Sequence, residues 1–245
     1  MFNLKRFQRT AGTFIFILVF GHINSAIFWT LYLLGYIRIN GYRKLFRAVT
    51  SGRLIIAANH PTLLEGFLIP AMLGPWMLFD PKRYFVWSVP DEALFPKWLR
   101  WLYEVSHSIK VNRNSGSNNS AIVEIISTLE SGATVVIHPE GGRTDSVARK
   151  NQVSNKRFGK LGNRKIRRLA NTQVTDLALK AGARIIPIWI DVPFRKKDNG
   201  FKKALWIWIT QFHRITIYVG EPYIVNPEQD NHQRNKELAQ RILSA

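Results

Sequence analysis

The chain has 245 residues, 46% of them hydrophobic and 21% charged, which suits one large domain or a smaller one with an anchor and excludes a disordered or collagen-like chain. It contains no cysteine, so disulfide frameworks, thiolate nucleophiles and zinc sites built on sulfur are excluded. The 35 Lys+Arg against 16 Asp+Glu leave a formal net charge of +19, a field that attracts nucleic acid, anionic lipid headgroups, or acidic small molecules and carriers.

The first element is apolar. No Asp, Glu, Lys or Arg lies between Arg9 and Arg38. As one helix, Thr10 to Ile37 would be roughly 40 Å long, against a bilayer core of about 30 Å. Its middle, Gly21 to Ser25, reads GHINS, polar and helix-weakening, so two short helices dipping into one leaflet fit at least as well as one span. Lys5, Arg6 and Arg9 precede the stretch, and Arg38, Arg43, Lys44 and Arg47 follow it. Cations on both sides suit a hairpin with both ends on an anionic surface. A cleaved signal peptide is weakened by the apolar pattern continuing past Ser25 and Ala26, and a buried core helix by the aromatic density and basic flanks. Residues 1–47 are therefore expected to form a membrane-anchoring helical segment.

Residues 48–245 read as a single α/β domain. Strands are expected at Leu54–Ala57, Tyr84–Val89, Ser108–Val111, Ala133–Ile137, Arg184–Ile190 and Arg214–Val219. Helical patterns fall at Thr62–Leu73, Ala93–Val105, Asn118–Ser131, Thr172–Ala181 and Asn231–Leu243. This alternation predicts a mixed, mostly parallel sheet covered by helices. The segment Arg143–Arg168 holds ten Lys+Arg and one acid, a net of +9. Gly159 and Gly162 make it loop-like.

Familiar nucleotide, hydrolase and zinc-protease loops are absent: there is no G-x-G-x-x-G, Walker-type loop, G-x-S-x-G or H-E-x-x-H. His138-Pro139-Glu140 has the H-x-E spacing of zinc deaminases, but those need a later P-C-x-x-C. Two loops, each just after an expected strand, remain. The first is Asn59-His60-Pro61-Thr62-Leu63-Leu64-Glu65. Pro61 suits the first position of a helix, which places His60 near the N-cap and lets Glu65, on the second turn, fold back toward the imidazole. A carboxylate on one ring nitrogen leaves the other to take a proton. The plainer alternative is a histidine capping the helix beside an exposed acid.

The second loop is His138-Pro139-Glu140-Gly141-Gly142-Arg143-Thr144. Adjacent glycines let the backbone approach a ligand, and Arg143 can bind a phosphate or carboxylate by two parallel hydrogen bonds. An ordinary tight turn with a solvated arginine is the alternative. Ile109-Lys110-Val111-Asn112-Arg113 is a lesser candidate, a strand ending in an arginine. These three motifs, followed by a strand reading Ile186-Pro187-Ile188, occur in that order. The chain thereby resembles the glycerolipid acyltransferase superfamily, the PlsC-type 1-acylglycerol-3-phosphate acyltransferases and relatives, over roughly residues 53 to 220.

The resemblance implies an acyltransferase moving a fatty acyl group from acyl-CoA or acyl-carrier protein to the free hydroxyl of a lysophospholipid. Lysophosphatidate is the default acceptor; another lysolipid, such as a lyso-aminolipid, and a non-catalytic anionic-lipid-binding relative are the alternatives. By the same resemblance His60 is the general base and Glu65 orients it. Arg113, Glu140, Gly141, Gly142, Arg143 and Thr144 bind the acceptor, and Ile186, Pro187 and Ile188 help shape an acyl-chain channel. No metal or cofactor is implied beyond the acyl donor itself, and the expected setting is the cytoplasmic face of a bacterial inner membrane. Four departures are visible: Glu65 stands where the family usually has Asp, His138 replaces an aromatic residue, Gly142 replaces Thr, and Asn112 stands where an acid is common. The basic segment after Arg143 is read as a solvated loop, a grip on anionic lipid, or a surface that steers an acidic carrier. No RNA- or DNA-binding module accompanies the charge.

Overall fold

The computed structural model describes residues 21–60, 65–77, 79–80, 86–88, 109, 119–140, 158–161, 164–167, 173–192 and 215–245. Eight strands are described: β1 Ile37–Asn40, β2 Leu54–Ala58, β3 Val86–Ser88, β4 Thr134–Ile137, β5 Phe158–Leu161, β6 Arg164–Arg167, β7 Arg184–Asp191 and β8 Ile215–Val219. The helices are α1 His22–Leu33, α2 Tyr42–Thr50, α3 Glu65–Met77, α4 Asn119–Glu130, α5 Val174–Ala181 and α6 Asn231–Ser244.

Six strands form one sheet in the order β1-β8-β7-β2-β4-β3. The strands β7, β2, β4 and β3 run parallel, β8 is antiparallel to β7, and β1 is parallel to β8. The central strand β2, with sequence LIIAA, is buried at every position, as expected of a strand covered on both faces. Its alternate side chains enter two cores. Leu54, Ile56 and Ala58 join Ile186, Ile188 and Ile190 against Phe28 of α1, Leu45 and Val49 of α2, and Leu68, Ile69, Met72 and Leu73 of α3. Ile55 and Ala57 join Val135, Ile185 and Trp189 against Ile125 and Leu129 of α4, Leu177 and Ala178 of α5, and Leu238 and Ile242 of α6. Among the described residues the sheet thus lies between two layers of three helices each.

Pro187 sits in β7 at the point where the regular β7–β8 pairing stops. The β7–β8 ladder covers only Ile188–Asp191. Beyond it the chain bends away: Gly220 N–H donates to Pro187 O at 2.9 Å, and Ile185 exchanges two hydrogen bonds with Tyr223. A proline is tolerated at such a break in pairing.

The amino-terminal region departs from expectation. GHINS opens α1, which is helical from His22 with Gly21 as its N-cap, and the residues before Gly21 lie outside the described ones. Its small and polar residues make a tight helix contact. Pro75 in α3 has no N–H to give to Ala71 O four residues earlier, and Ser25 Oγ donates to that carbonyl at 3.1 Å. Gly74 allows this approach, because a Cβ there would collide with the Ser25 side chain. An aromatic set completes the layer: the Trp29 ring lies 5.2 Å from that of Tyr42, Tyr42 OH donates to Met72 O at 3.2 Å, and Trp76 Nε1 donates to Tyr42 OH at 2.7 Å. The expected boundary between residues 47 and 48 falls inside α2, and both β1 and α2 contribute core residues, Ile37 and Leu45 among them. Among the described residues no helix is long and apolar enough to cross a membrane. Outward, α1 and the turn after it expose Ile23, Ile27, Leu33 and Leu34, with Leu33 at 82%.

The basic segment also differs from a plain loop. Its described part is the antiparallel hairpin β5–β6, with Leu161 opposite Arg164. Arg164 Nη1 donates to Leu243 O at 2.7 Å and to Ala245 O at 3.0 Å, and its guanidinium lies 4.3 Å from the Tyr218 ring centre. A cation at a helix carboxyl end meets the unpaired carbonyls and the negative end of the dipole. Arg164 therefore clasps the hairpin to α6. The expected helix 93–105 lies outside the described residues, and of the expected strand 108–111 only Ile109 is described, fully buried.

Candidate active site

The strands β2, β4 and β7 end at the same edge of the sheet, the carboxyl edge where open α/β sheets bind ligands. Asn59 and His60 follow β2, His138 to Glu140 follow β4, and Ile190 lies near the end of β7.

Asn59 is 2% exposed. Its Nδ2 donates to Ile190 O at 2.9 Å, and its Oδ1 accepts from Ile190 N–H at 2.6 Å. The side-chain amide thus copies a peptide group and carries the β2–β7 pairing one step past the strand. A polar side chain at the end of an all-buried strand must be paired in this way, since an unpaired one costs about 1–3 kcal/mol. The consequence is local: the residue after Asn59, His60, leaves the sheet at a fixed position.

Two further contacts hold His60. Its main-chain N–H donates to Glu140 Oε1 at 3.0 Å. Glu140 is 3% exposed, and a buried carboxylate requires such donors. The imidazole stacks on that of His138, with centroids 4.6 Å apart and planes 19° apart. His138 Nδ1 lies 3.1 Å from Ala58 O. A carbonyl oxygen only accepts, so that nitrogen carries the hydrogen. Residues from β2 and β4, 80 positions apart in the chain, therefore meet in one constellation of two imidazoles and a carboxylate. An imidazole whose backbone and ring plane are both fixed can take a proton from a hydroxyl presented at this edge.

The structure thus brings His60 and Glu140 together, and it gives Glu140 a direct hold on the histidine backbone. Glu65 opens the described part of α3, while its side chain and residues 61–64 lie outside the described residues. Arg113, Gly141, Gly142, Arg143 and Thr144 also lie outside them. Ile186 and Ile188 are fully buried beneath α1–α3, and Ile188 O accepts from Asn59 N–H at 3.3 Å. Two residues had no role assigned from the sequence: Asn59, which merely opened the first loop, and His138, which opened the second and stood out as a departure from the usual aromatic.

The layered mixed sheet with a histidine site at its carboxyl edge is compatible with the acyltransferase resemblance, and the comparisons give the family. A family profile described as Acyltransferase matches residues 37–191. The chain belongs to that family and is an acyltransferase. The fold is similar to that of the 1-acyl-sn-glycerophosphate (LPA) acyltransferase PlsC from Thermotoga maritima, with a TM-score of 0.55 and 14% sequence identity over 100% of this chain and 95% of that one. No curated protein matches the chain.

Proposed function

We propose that this acyltransferase moves a fatty acyl group from acyl-CoA or acyl-carrier protein to the free hydroxyl of a lysophospholipid, with lysophosphatidate as the default acceptor and phosphatidate as its product. His60 takes the hydroxyl proton as the oxygen attacks the thioester carbonyl. The C–S bond then breaks, and the departing thiolate recovers the proton from the imidazolium. No covalent enzyme intermediate and no cofactor is needed. The observation that carries this reading is the fixing of His60 at the carboxyl edge of the sheet, by Glu140 on its N–H and His138 on its ring face.

Glu65 supports the imidazolium from the start of α3. Arg113, Glu140, Gly141, Gly142, Arg143 and Thr144 form the acceptor site, with the two arginines on its phosphate, and Ile186, Pro187 and Ile188 back the acyl chain. The exposed Ile23, Ile27, Leu33 and Leu34 together with Arg38, Arg43 and Arg47 support attachment to an anionic membrane surface, the cytoplasmic face of a bacterial inner membrane. Such a helix lies in the interface, its apolar face among the lipids.

The test is transfer of a labelled acyl group, from acyl-CoA and from acyl-carrier protein in parallel, to lysophosphatidate and to a panel of other lysolipids including lyso-aminolipids. Label in phosphatidate supports the default acceptor, and label in another product reassigns it. No transfer to any lysolipid from either donor overturns the reading.

A further inference from the structure

At the edge of the sheet opposite His60, the amino ends of β2 and β7 border a groove of about 600 Å³. Arg53, Arg184 and Glu130 line it, together with Gly52, Gly132 and Gly182. We propose that this groove is a second oxyanion site, separate from the acceptor site, and that it takes a phosphate group as inorganic phosphate or as the monoester headgroup of a lipid.

The sheet brings the two arginines together. Arg53 immediately precedes β2 and Arg184 opens β7, and Arg184 N–H donates to Arg53 O at 2.9 Å. Arg53 holds this place with a φ of 47°, in the left-handed region that glycine enters freely and a side chain enters only with strain. The ordinary occupation of an arginine here is a helix end, since α2, α4 and α5 all finish at this edge and a guanidinium can bond their last carbonyls. Those carbonyls are already taken. Gly52 N–H donates to Val49 O, Gly132 N–H to Leu129 O and Gly182 N–H to Leu179 O. The hydroxyls of Ser51 and Ser131 donate to Ala48 O and Thr128 O. Among the described residues neither guanidinium has a hydrogen bond or an ion pair, and Glu130 pairs with neither. The groove is therefore left with two sets of unused, permanently charged donors.

Two like charges on neighbouring strands repel, and an oxyanion between them turns the repulsion into attraction, each guanidinium giving two parallel hydrogen bonds. Glu130 selects the oxyanion. Its carboxylate repels an acceptor-only anion such as sulfate but accepts from a P–OH group, which inorganic phosphate retains at neutral pH and a phosphate monoester retains in part. His60 lies seven residues beyond Arg53 along β2, about 20 Å away, so a phosphate in this groove does not occupy the site of transfer.

Amide NMR of the full-length, glycine-labelled protein in detergent micelles reads the groove through Gly52, Gly132 and Gly182. Inorganic phosphate at constant ionic strength is expected to shift these signals saturably at about millimolar concentration, and sulfate to bind at least about tenfold more weakly. Arg184→Gln is expected to weaken phosphate binding about tenfold or more. Arg53→Gly is expected to do the same without lowering the melting temperature, because glycine takes that φ without strain. Phosphatidate added to the micelles, with phosphatidylcholine as the diester control, separates the sources. Shifts at a few phosphatidate molecules per micelle assign a lipid headgroup, and shifts with inorganic phosphate alone assign a soluble anion. Unshifted glycine signals with both phosphate and phosphatidate would overturn the proposal, as would equal binding of phosphate and sulfate, or undiminished phosphate shifts in both arginine variants.

Discussion

Asn59 makes a demanding test of how the site is held, because its side-chain amide pairs with the backbone of the neighbouring strand. The change Asn59→Ala leaves Ile190 N–H and Ile190 O without the partners now 2.6 and 2.9 Å away, in a place where Ile190 itself is 1% exposed. Each buried main-chain group left unpaired costs about 1–3 kcal/mol, so the pair costs about 2–6 kcal/mol, and about 2–4 kcal/mol once water enters the space vacated by the amide. That is a large share of the about 5–15 kcal/mol by which a domain is stable. The variant Asn59→Asp keeps an acceptor for Ile190 N–H but turns a carboxylate oxygen toward Ile190 O. It should regain stability relative to Asn59→Ala as pH falls, because a protonated carboxyl donates again. Urea unfolding followed by tryptophan fluorescence measures both. A loss below ~0.5 kcal/mol for Asn59→Ala, the size of an ordinary surface substitution, would refute the clamp and with it the account of how His60 is placed.

Three other outcomes follow from the same geometry. Glu140→Ala, which removes the acceptor on His60 N–H, is expected to lower kcat/KM about 100-fold, with Glu140→Gln at least about tenfold better because it keeps an oxygen there; equal loss in both would mean the charge matters and not the bond. Gly74→Ala should destabilise by about 1–3 kcal/mol through overpacking against Ser25, and Ser25→Gly should recover part of that in the double variant, whereas strictly additive melting shifts would place the α1–α3 contact elsewhere. Burial, and then the charge of Glu237, push the Tyr223 hydroxyl well above its ordinary value near 10. The folded protein therefore holds that proton after the unfolded chain has lost it, so this contribution is intact below pH 10 and lost as pH rises above it, by up to about 1.4 kcal/mol per pH unit. Tyr223→Phe removes this component and, because the buried hydroxyl has no hydrogen-bond partner among the described residues, should not lower stability at pH 7; an unchanged alkaline decline would contradict the assignment.

What was legible in the sequence, and what was not, follows from the range of the interactions. The strands β2, β4, β7 and β8 and the helices α4, α5 and α6 fall within two residues of their expected limits, because continuous β-branched runs and helical periodicity are local patterns. The capping of α6 is local too: Asp230 accepts from Gln233 N–H at 2.7 Å. The packing role of Ser25 in GHINS was not legible because its partner lies 46 residues away, at the carbonyl that Pro75 leaves without a donor. The hairpin β5–β6 was hidden by its charge, since ten cations read as solvent-exposed until Arg164 is seen on the end of α6. The site divides in the same way. His60 and Glu140 were legible as motif residues, but the Asn59 clamp spans 131 positions and the His60–His138 stack joins two separate strand ends. Pairing of that range is written in the topology of the sheet.

The central claim is that His60 takes the acceptor proton. Steady-state transfer to the preferred lysolipid, measured for His60→Ala beside the wild type at matched far-UV circular dichroism and melting temperature, tests it most directly. The account predicts a fall in kcat/KM of about 10²–10⁴, the range supplied by a positioned general base. Activity within about tenfold of the wild type in the folded variant would contradict it.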